Sequence, residues 1–137
     1  MHEYKCKILR VVDGDTVDVD IDLGFGIWMH KERIRLYGLD TPESRTRDLE
    51  EKKYGNAAKE YVKYNLPIGS DQVLVTHKDK SGKYGRILGQ FKLEDGSILN
   101  EVMIEKHYGV AYFGQSKEDI EAEHLENRKH IIIEETP

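Results

Sequence analysis

Between Val17 and Asp22 apolar and acidic side chains alternate without interruption: Val17, Val19 and Ile21 against Asp18, Asp20 and Asp22. Only an extended chain has a side-chain period of two, so this stretch must be a strand with one buried face and one acidic face. A helix would scatter the aspartates around its axis and bury some of them unpaired. The neighbouring segments extend the pattern. Tyr4, Cys6 and Ile8 alternate with Lys5 and Lys7 and run into Val11-Val12. Asp13-Gly14-Asp15 is a turn signal, and Gly24-Phe25-Gly26 interrupts the chain before a third strand from Ile27 to Leu36. Three strands joined by Gly-containing turns make a β-meander. The Asp18/Asp20/Asp22 stripe looks superficially like a calcium loop, but its alternation with Val and Ile reads as a solvated strand face.

The period then changes. Tyr54, Ala57, Ala58, Tyr61, Val62 and Asn65 fit a helical face of about 3.6 residues per turn, stopped by Pro67. Val73-Leu74-Val75 and the stretch from Arg86 to Leu93 read as two further strands. Leu99, Val102, Met103 and Lys106 suggest a helix capped by Asn100 or nearby and ended before Gly109. Ser116-Lys117-Glu118-Asp119 has capping-box spacing and opens a last helix through about His130. The order β-β-β-α-β-β-α-α predicts an α+β chain: a five-stranded Greek-key barrel of the OB type with three packed helices. At 137 residues the whole of it, 1–137, is expected to be one domain.

Composition removes several classes. Hydrophobic residues are 38% and charged residues 34% of the chain, which favours a globular over a disordered protein. No apolar run approaches the roughly 18 residues of a membrane helix. The segment Met1 to Lys7 lacks the apolar stretch of a secretory signal, so a cytoplasmic, membrane-free monomer is expected. The single cysteine, Cys6, excludes an intrachain disulfide framework and reads as a small core residue. The net charge of −5 argues against a uniformly basic coat, yet its distribution is uneven. Residues 1–30 carry −3, residues 31–92 carry +5 and residues 93–137 carry −7. A positive middle between acidic flanks suits a local polyanion site.

Three segments carry the chemistry. Asp13-Gly14-Asp15-Thr16-Val17 is an acidic turn entering a strand. In Arg33-Ile34-Arg35-Leu36-Tyr37-Gly38-Leu39-Asp40-Thr41-Pro42-Glu43 a strand with arginines runs into a carboxylate-rich loop. Lys83-Tyr84-Gly85-Arg86 is a basic turn entering another strand. Alone, an Asp-Gly-Asp is in most cases only a turn, and a strand arginine only a surface residue. Their joint order and spacing overturns that reading. With Tyr54-Gly55 and Leu99-Asn100-Glu101 added, the chain resembles the staphylococcal nuclease (thermonuclease) family of calcium-dependent phosphodiesterases over roughly residues 6 to 130.

That resemblance implies a metal-dependent nuclease acting on DNA and RNA, preferably single-stranded, with little sequence preference. It implies cleavage on the 5′ side of phosphorus, leaving 3′-phosphate and 5′-hydroxyl ends. Asp15, Asp40 and the carbonyl of Thr41 would hold Ca²⁺, and Glu43 would act as general base. Arg35 and Arg86 would stabilise the transition state, while Lys83, Tyr84 and Tyr112 would hold the nucleotide. The residue types agree with these roles. Ca²⁺ takes about six to eight oxygen ligands, and short carboxylates on turns can converge on it. Arginines carry permanent charge in a forked donor, which suits a doubly charged oxyphosphorane-like state better than lysine does.

Two departures are visible. Residues 118–135 are acid-rich where relatives often carry a basic tail. Gly114 stands where the family prototype has a second aromatic after Tyr112, and strand alternation would point Phe113 into the core rather than replace that ring. His77, His107, His124 and His130 show no ligand-like spacing around a shared carboxylate and receive no catalytic role. Two other readings remain: a non-catalytic OB-type binding module and a purely structural calcium-binding domain. Retention of Asp15, Arg35, Asp40, Glu43 and Arg86 favours the enzyme over the first, and the two arginines have no purpose in the second.

Overall fold

In the computed structural model, which describes residues 2–78 and 87–133, the alternating stretch is the middle strand of the expected meander. Strand β1 is His2–Asp13, β2 is Thr16–Gly24 and β3 is Ile27–Leu36, each antiparallel to the next. Val17, Val19 and Ile21 are buried. The alternate aspartates lie on the opposite face, where they hold β3. Asp18 accepts two bonds from the Arg33 guanidinium (2.9 and 3.3 Å), and Asp20 accepts the Lys31 amide at 2.9 Å. The stripe is a strand face tied to its neighbour, as its alternation indicates. Register shifts in the β1–β2 pairing near Ile8 to Arg10 change the alternation there, so that Val11 as well as Ile8 is buried.

The chain continues through the two-residue strand β4 (Leu39–Asp40), helix α1 (Leu49–Asn65), β5 (Asp71–His77) and β6 (Ile87–Lys92). Helix α2 (Leu99–Glu105), the two-residue β7 (Val110–Ala111), α3 (Lys117–Asn127) and a 3-10 turn (Arg128–His130) complete it. The five long strands close into a barrel in the order β1-β2-β3-β6-β5, with β3 and β6 parallel from Ile34↔Ile87 to Leu36↔Gly89. This is the OB-type α+β barrel with three helices that the element order predicts. Closure lets the inward face of every strand contribute to one core. Ile8, Val17, Val19, Ile34, Leu74 and Phe91 fill it, and Ala58 and Val62 of α1 pack onto it. Cys6 lies in that core, and burial pushes its thiol up to about 12, so it behaves as a small apolar group. No helix of the described residues is long and apolar enough to cross a membrane.

Local signals account for most helix ends. Asp48 caps α1 by accepting the Glu50 and Glu51 amides, and Ser116 caps α3 by accepting that of Asp119. The second helix corrects the sequence reading. Its N-cap is Ile98, without a side-chain bond, and Asn100 does not cap it. Instead Asn100 is buried, donating to the carbonyls of Tyr37 (2.9 Å) and Gly89 (3.1 Å) and accepting the Phe91 amide at 3.4 Å. It thereby ties α2 to β6 and to the turn after β3. Asn100→Ala is expected to destabilise the fold by ~2–3 kcal/mol, because those buried backbone groups lose their partner. Urea denaturation measures this, and a loss below ~0.5 kcal/mol would make the triple contact energetically idle.

Candidate active site

The site is assembled from three turns that close approach brings together. A Cβ on Gly14 would stand 2.9 Å from both Ala58 Cβ and Thr41 Oγ1, so only glycine lets the β1–β2 turn settle between α1 and the β4 loop. Gly55 serves the same purpose on the other side. A Cβ there would lie 2.6 Å from the Ser44 nitrogen and closer still to the Glu43 carbonyl, so α1 presses its bare backbone onto the Glu43 loop. The β4–β7 pairing, Leu39↔Ala111 and Asp40↔Val110, then fixes Asp40 beside the segment leading to Tyr112 and α3. Two residues per strand are too few to leave an alternation in sequence.

Arg35 sits at the centre. Its Nη1 donates to the carbonyls of Leu39 (2.8 Å), Leu36 (3.3 Å) and Asp15 (3.4 Å). The same guanidinium reaches Asp15 Oδ2 at 3.3 Å and Asp40 Oδ1 at 3.6 Å. Asp15 also accepts from the Thr16 hydroxyl and, at 3.4 Å, from the Thr41 amide. Arg35, Asp40, Thr41, Glu43 and Tyr112 line one open cleft. The structure thus brings Asp15, Arg35, Asp40, Thr41, Glu43 and Tyr112 into one neighbourhood. Lys83, Tyr84 and Arg86 lie outside the described residues.

The electrostatics of this neighbourhood are those of an anion excess. Burial raises the Asp15 carboxyl above the usual aspartate range, and it outweighs the opposing pull of Arg35. Glu43 is more open, yet desolvation first, then the charges of Asp13, Asp15, Asp40 and Glu51, raise it as well. Carboxylates arranged so that each disfavours its neighbour's ionisation fit a hard cation. Among the described residues no three His, Cys, Asp or Glu side chains converge to hold a metal by themselves. A cation here would accordingly rest on Asp15 and Asp40 with backbone carbonyls and water, which leaves positions open.

A raised acid binds its proton more tightly in the folded chain than in the unfolded one. Its contribution to stability is complete below the unfolded pKa and is lost as pH rises through the folded value. Asp15→Asn is therefore expected to raise the melting temperature of the metal-free protein near pH 7, with the gain shrinking as pH falls through the raised folded value and gone below about pH 4. Thermal unfolding in chelator across that range checks it. A variant no more stable than the wild type at neutral pH would contradict the burial penalty.

Two residues are placed where sequence reasoning did not put them. His124 was assigned no role, but its Nε2 lies 2.8 Å from Asp40 Oδ2. Eighty-four residues separate the pair, so no local spacing could have revealed it. Phe113 is not a core residue. It is 70% exposed and lines the cleft, with its ring over Gly38 and edge-on to Tyr37 at 5.8 Å. Strand β7 ends at Ala111, so the pleat no longer dictates where residue 113 points. Gly114 has φ +91°, a left-handed conformation in which an aromatic residue would be strained. The other histidines take structural contacts: His77 stacks on Tyr37 at 4.1 Å, and His107 stacks on His130.

Comparison with known proteins adds a family. The model of the staphylococcal nuclease homologue family matches residues 33–130. An uncharacterized protein of Bacillus anthracis is 33% identical over 130 residues, covering 94% of this chain and 58% of that protein. A thermonuclease of Staphylococcus hyicus is 34% identical over 112 residues, 82% of this chain and 62% of its own. An endonuclease of Bacillus subtilis is 29% identical over 116 residues, 81% of this chain but 9% of that protein. The chain thus spans less than two thirds of the length of these relatives.

Proposed function

The chain belongs to the staphylococcal nuclease family, and from that premise we propose that it is a calcium-dependent phosphodiesterase. Its substrates are DNA and RNA, preferably single-stranded, cleaved with little sequence preference by a monomer. The observation that carries this reading is Arg35 held between Asp15 and Asp40 beside Glu43 in an open cleft. A binding module needs no such combination of half-buried aspartates and anchored guanidinium. Asp15, Asp40 and the Thr41 carbonyl would hold Ca²⁺, which would supply positive charge to offset that of the phosphate.

The remaining work falls to the chain's own groups. Glu43 accepts a proton from the attacking water. Its raised pKa brings its basicity closer to that of a useful base near neutrality than an ordinary carboxylate. Water oxygen bonds to phosphorus, the bond from phosphorus to the 5′ oxygen breaks, and that oxygen leaves as a hydroxyl with a proton taken from solvent, to which Glu43 later returns the one it accepted. The 3′ fragment boundary keeps its phosphate. Arg35, with Arg86 as its counterpart, donates to the equatorial oxygens as negative charge builds, which favours the transition state over the ground state. Lys83, Tyr84 and Tyr112 bind the nucleotide.

End-group analysis of products from denatured DNA tests the bond cut: 3′-phosphate ends are expected, and 5′-phosphate ends would overturn the assignment. Glu43→Gln is expected to lower kcat while leaving calcium affinity closer to wild type than Asp40→Ala does. Equal loss of calcium binding in both variants would make Glu43 a ligand instead of a base.

A further inference from the structure

Both oxygens of Asp40 are engaged, and on opposite sides. Oδ1 faces Arg35 Nη2 at 3.6 Å, the guanidinium whose Nη1 lies 3.3 Å from Asp15 Oδ2, while Oδ2 meets His124 Nε2 at 2.8 Å. The His124 side chain is only 13% exposed, and its Nδ1 is buried with no hydrogen-bond partner. The 2.8 Å contact assigns a hydrogen to Nε2. A bare Nε2 would set its lone pair against a carboxylate oxygen, whereas Nε2–H donates to it.

We infer that His124 is a positioning residue for the calcium site. Its Nε2–H fixes the Asp40 carboxylate so that Oδ1 is held toward Asp15. The inference rests on the calcium reading above and adds a residue to it. The helix carrying His124 is fastened on both sides of it along one face. Ile120, one turn earlier, is the one buried residue of α3, and Arg128, one turn later, places its guanidinium 5.2 Å from the Tyr54 ring centre. An otherwise acid-rich, largely exposed helix is thereby held where it delivers one donor to one carboxylate. Groups that hydrogen-bond a metal-ligating side chain commonly change metal affinity by about 10–100-fold when removed.

The test is calorimetric titration of Ca²⁺ into the full chain and two variants, His124→Phe and His124→Gln, with ¹⁵N NMR of the imidazole in the metal-free wild type. His124→Phe keeps a ring but has no donor, and it is expected to weaken calcium binding about 10–100-fold. His124→Gln restores an N–H donor and is expected to recover most of that loss, which a merely structural role would not produce. The NMR spectrum is expected to show the proton on Nε2. Wild-type affinity in His124→Phe, or no recovery in His124→Gln, would overturn the positioning role while the calcium site itself stands. A bare Nε2 in the wild type would overturn it even if a variant failed to fold. Absence of calcium binding by the wild type would instead remove the calcium reading, and this inference with it.

Discussion

Arg35→Lys is expected to lower the turnover of phosphodiester cleavage by about 10²–10³, the usual consequence of removing one preorganised donor from a developing charge. The geometry explains why a conserved charge is not enough. One guanidinium nitrogen, Nη1, is committed to the Leu39, Leu36 and Asp15 carbonyls, which orients the whole plane. The other end of the fork is left to face the cleft beside Asp40. Lysine gathers its three N–H donors at one nitrogen and has no planar fork to hold the backbone carbonyls with one arm while a second arm faces the cleft. Steady-state kinetics on denatured DNA, beside the surface control Lys59→Arg and with melting temperatures to exclude unfolding, measure the effect. Near-normal turnover in Arg35→Lys would remove Arg35 from the mechanism.

Asp40→Ala and Asp15→Ala are expected to abolish calcium binding in the micromolar-to-millimolar range and to take nuclease activity with it. Two carboxylates are the only acidic side chains proposed for the ion, so removing either takes away half of its formal countercharge. The variants should differ in one respect. Asp15 has an ionisation opposed by burial, so its loss relieves strain in the metal-free fold. Asp40 pairs with Arg35 at 3.6 Å and meets His124 at 2.8 Å, so its loss takes one of two carboxylates from the guanidinium and leaves the half-buried imidazole without its acceptor. Metal-free Asp15→Ala should accordingly be the more stable of the two. Calcium titration and thermal unfolding in chelator measure both quantities. Retained calcium affinity in either variant would take that aspartate out of the ligand set.

Much of this architecture is legible because single residues carry strong local instructions. The Val17/Val19/Ile21 alternation sets a strand and its inner face, Ser116 sets a helix start, and Cys6 between charged neighbours points inward. The proximity of Asp15 to the Glu43 loop leaves a local mark, because Gly14 in the β1–β2 turn and Gly55 in α1 permit the close approaches there. What is not legible depends on contacts across the fold. Asn100 has the chemistry of a cap, but the burial of α2 redirects it to three backbone groups of other elements. His124 acquires meaning only when the β4–β7 pair brings Asp40 to α3. Phe113 follows the loop after β7 instead of a strand pleat. Regional charge is a blunt guide for a related reason. Within the net-positive stretch Arg33 and Lys92 are paired with Asp18 and Glu3 outside it, so part of its surplus is neutralised on the fold's own surface.

The central claim, that the Asp15–Arg35–Asp40–Glu43 neighbourhood is a calcium-dependent phosphodiesterase centre, is tested most directly by one assay. The purified wild-type chain is incubated with denatured DNA and with RNA in Ca²⁺, in Mg²⁺ and in excess chelator. Cleavage of both substrates in Ca²⁺, weak cleavage in Mg²⁺, which keeps its waters and demands a tighter octahedron, and none in chelator are the predicted results. Undiminished cleavage in excess chelator, or no cleavage in Ca²⁺ by a folded chain, would contradict it.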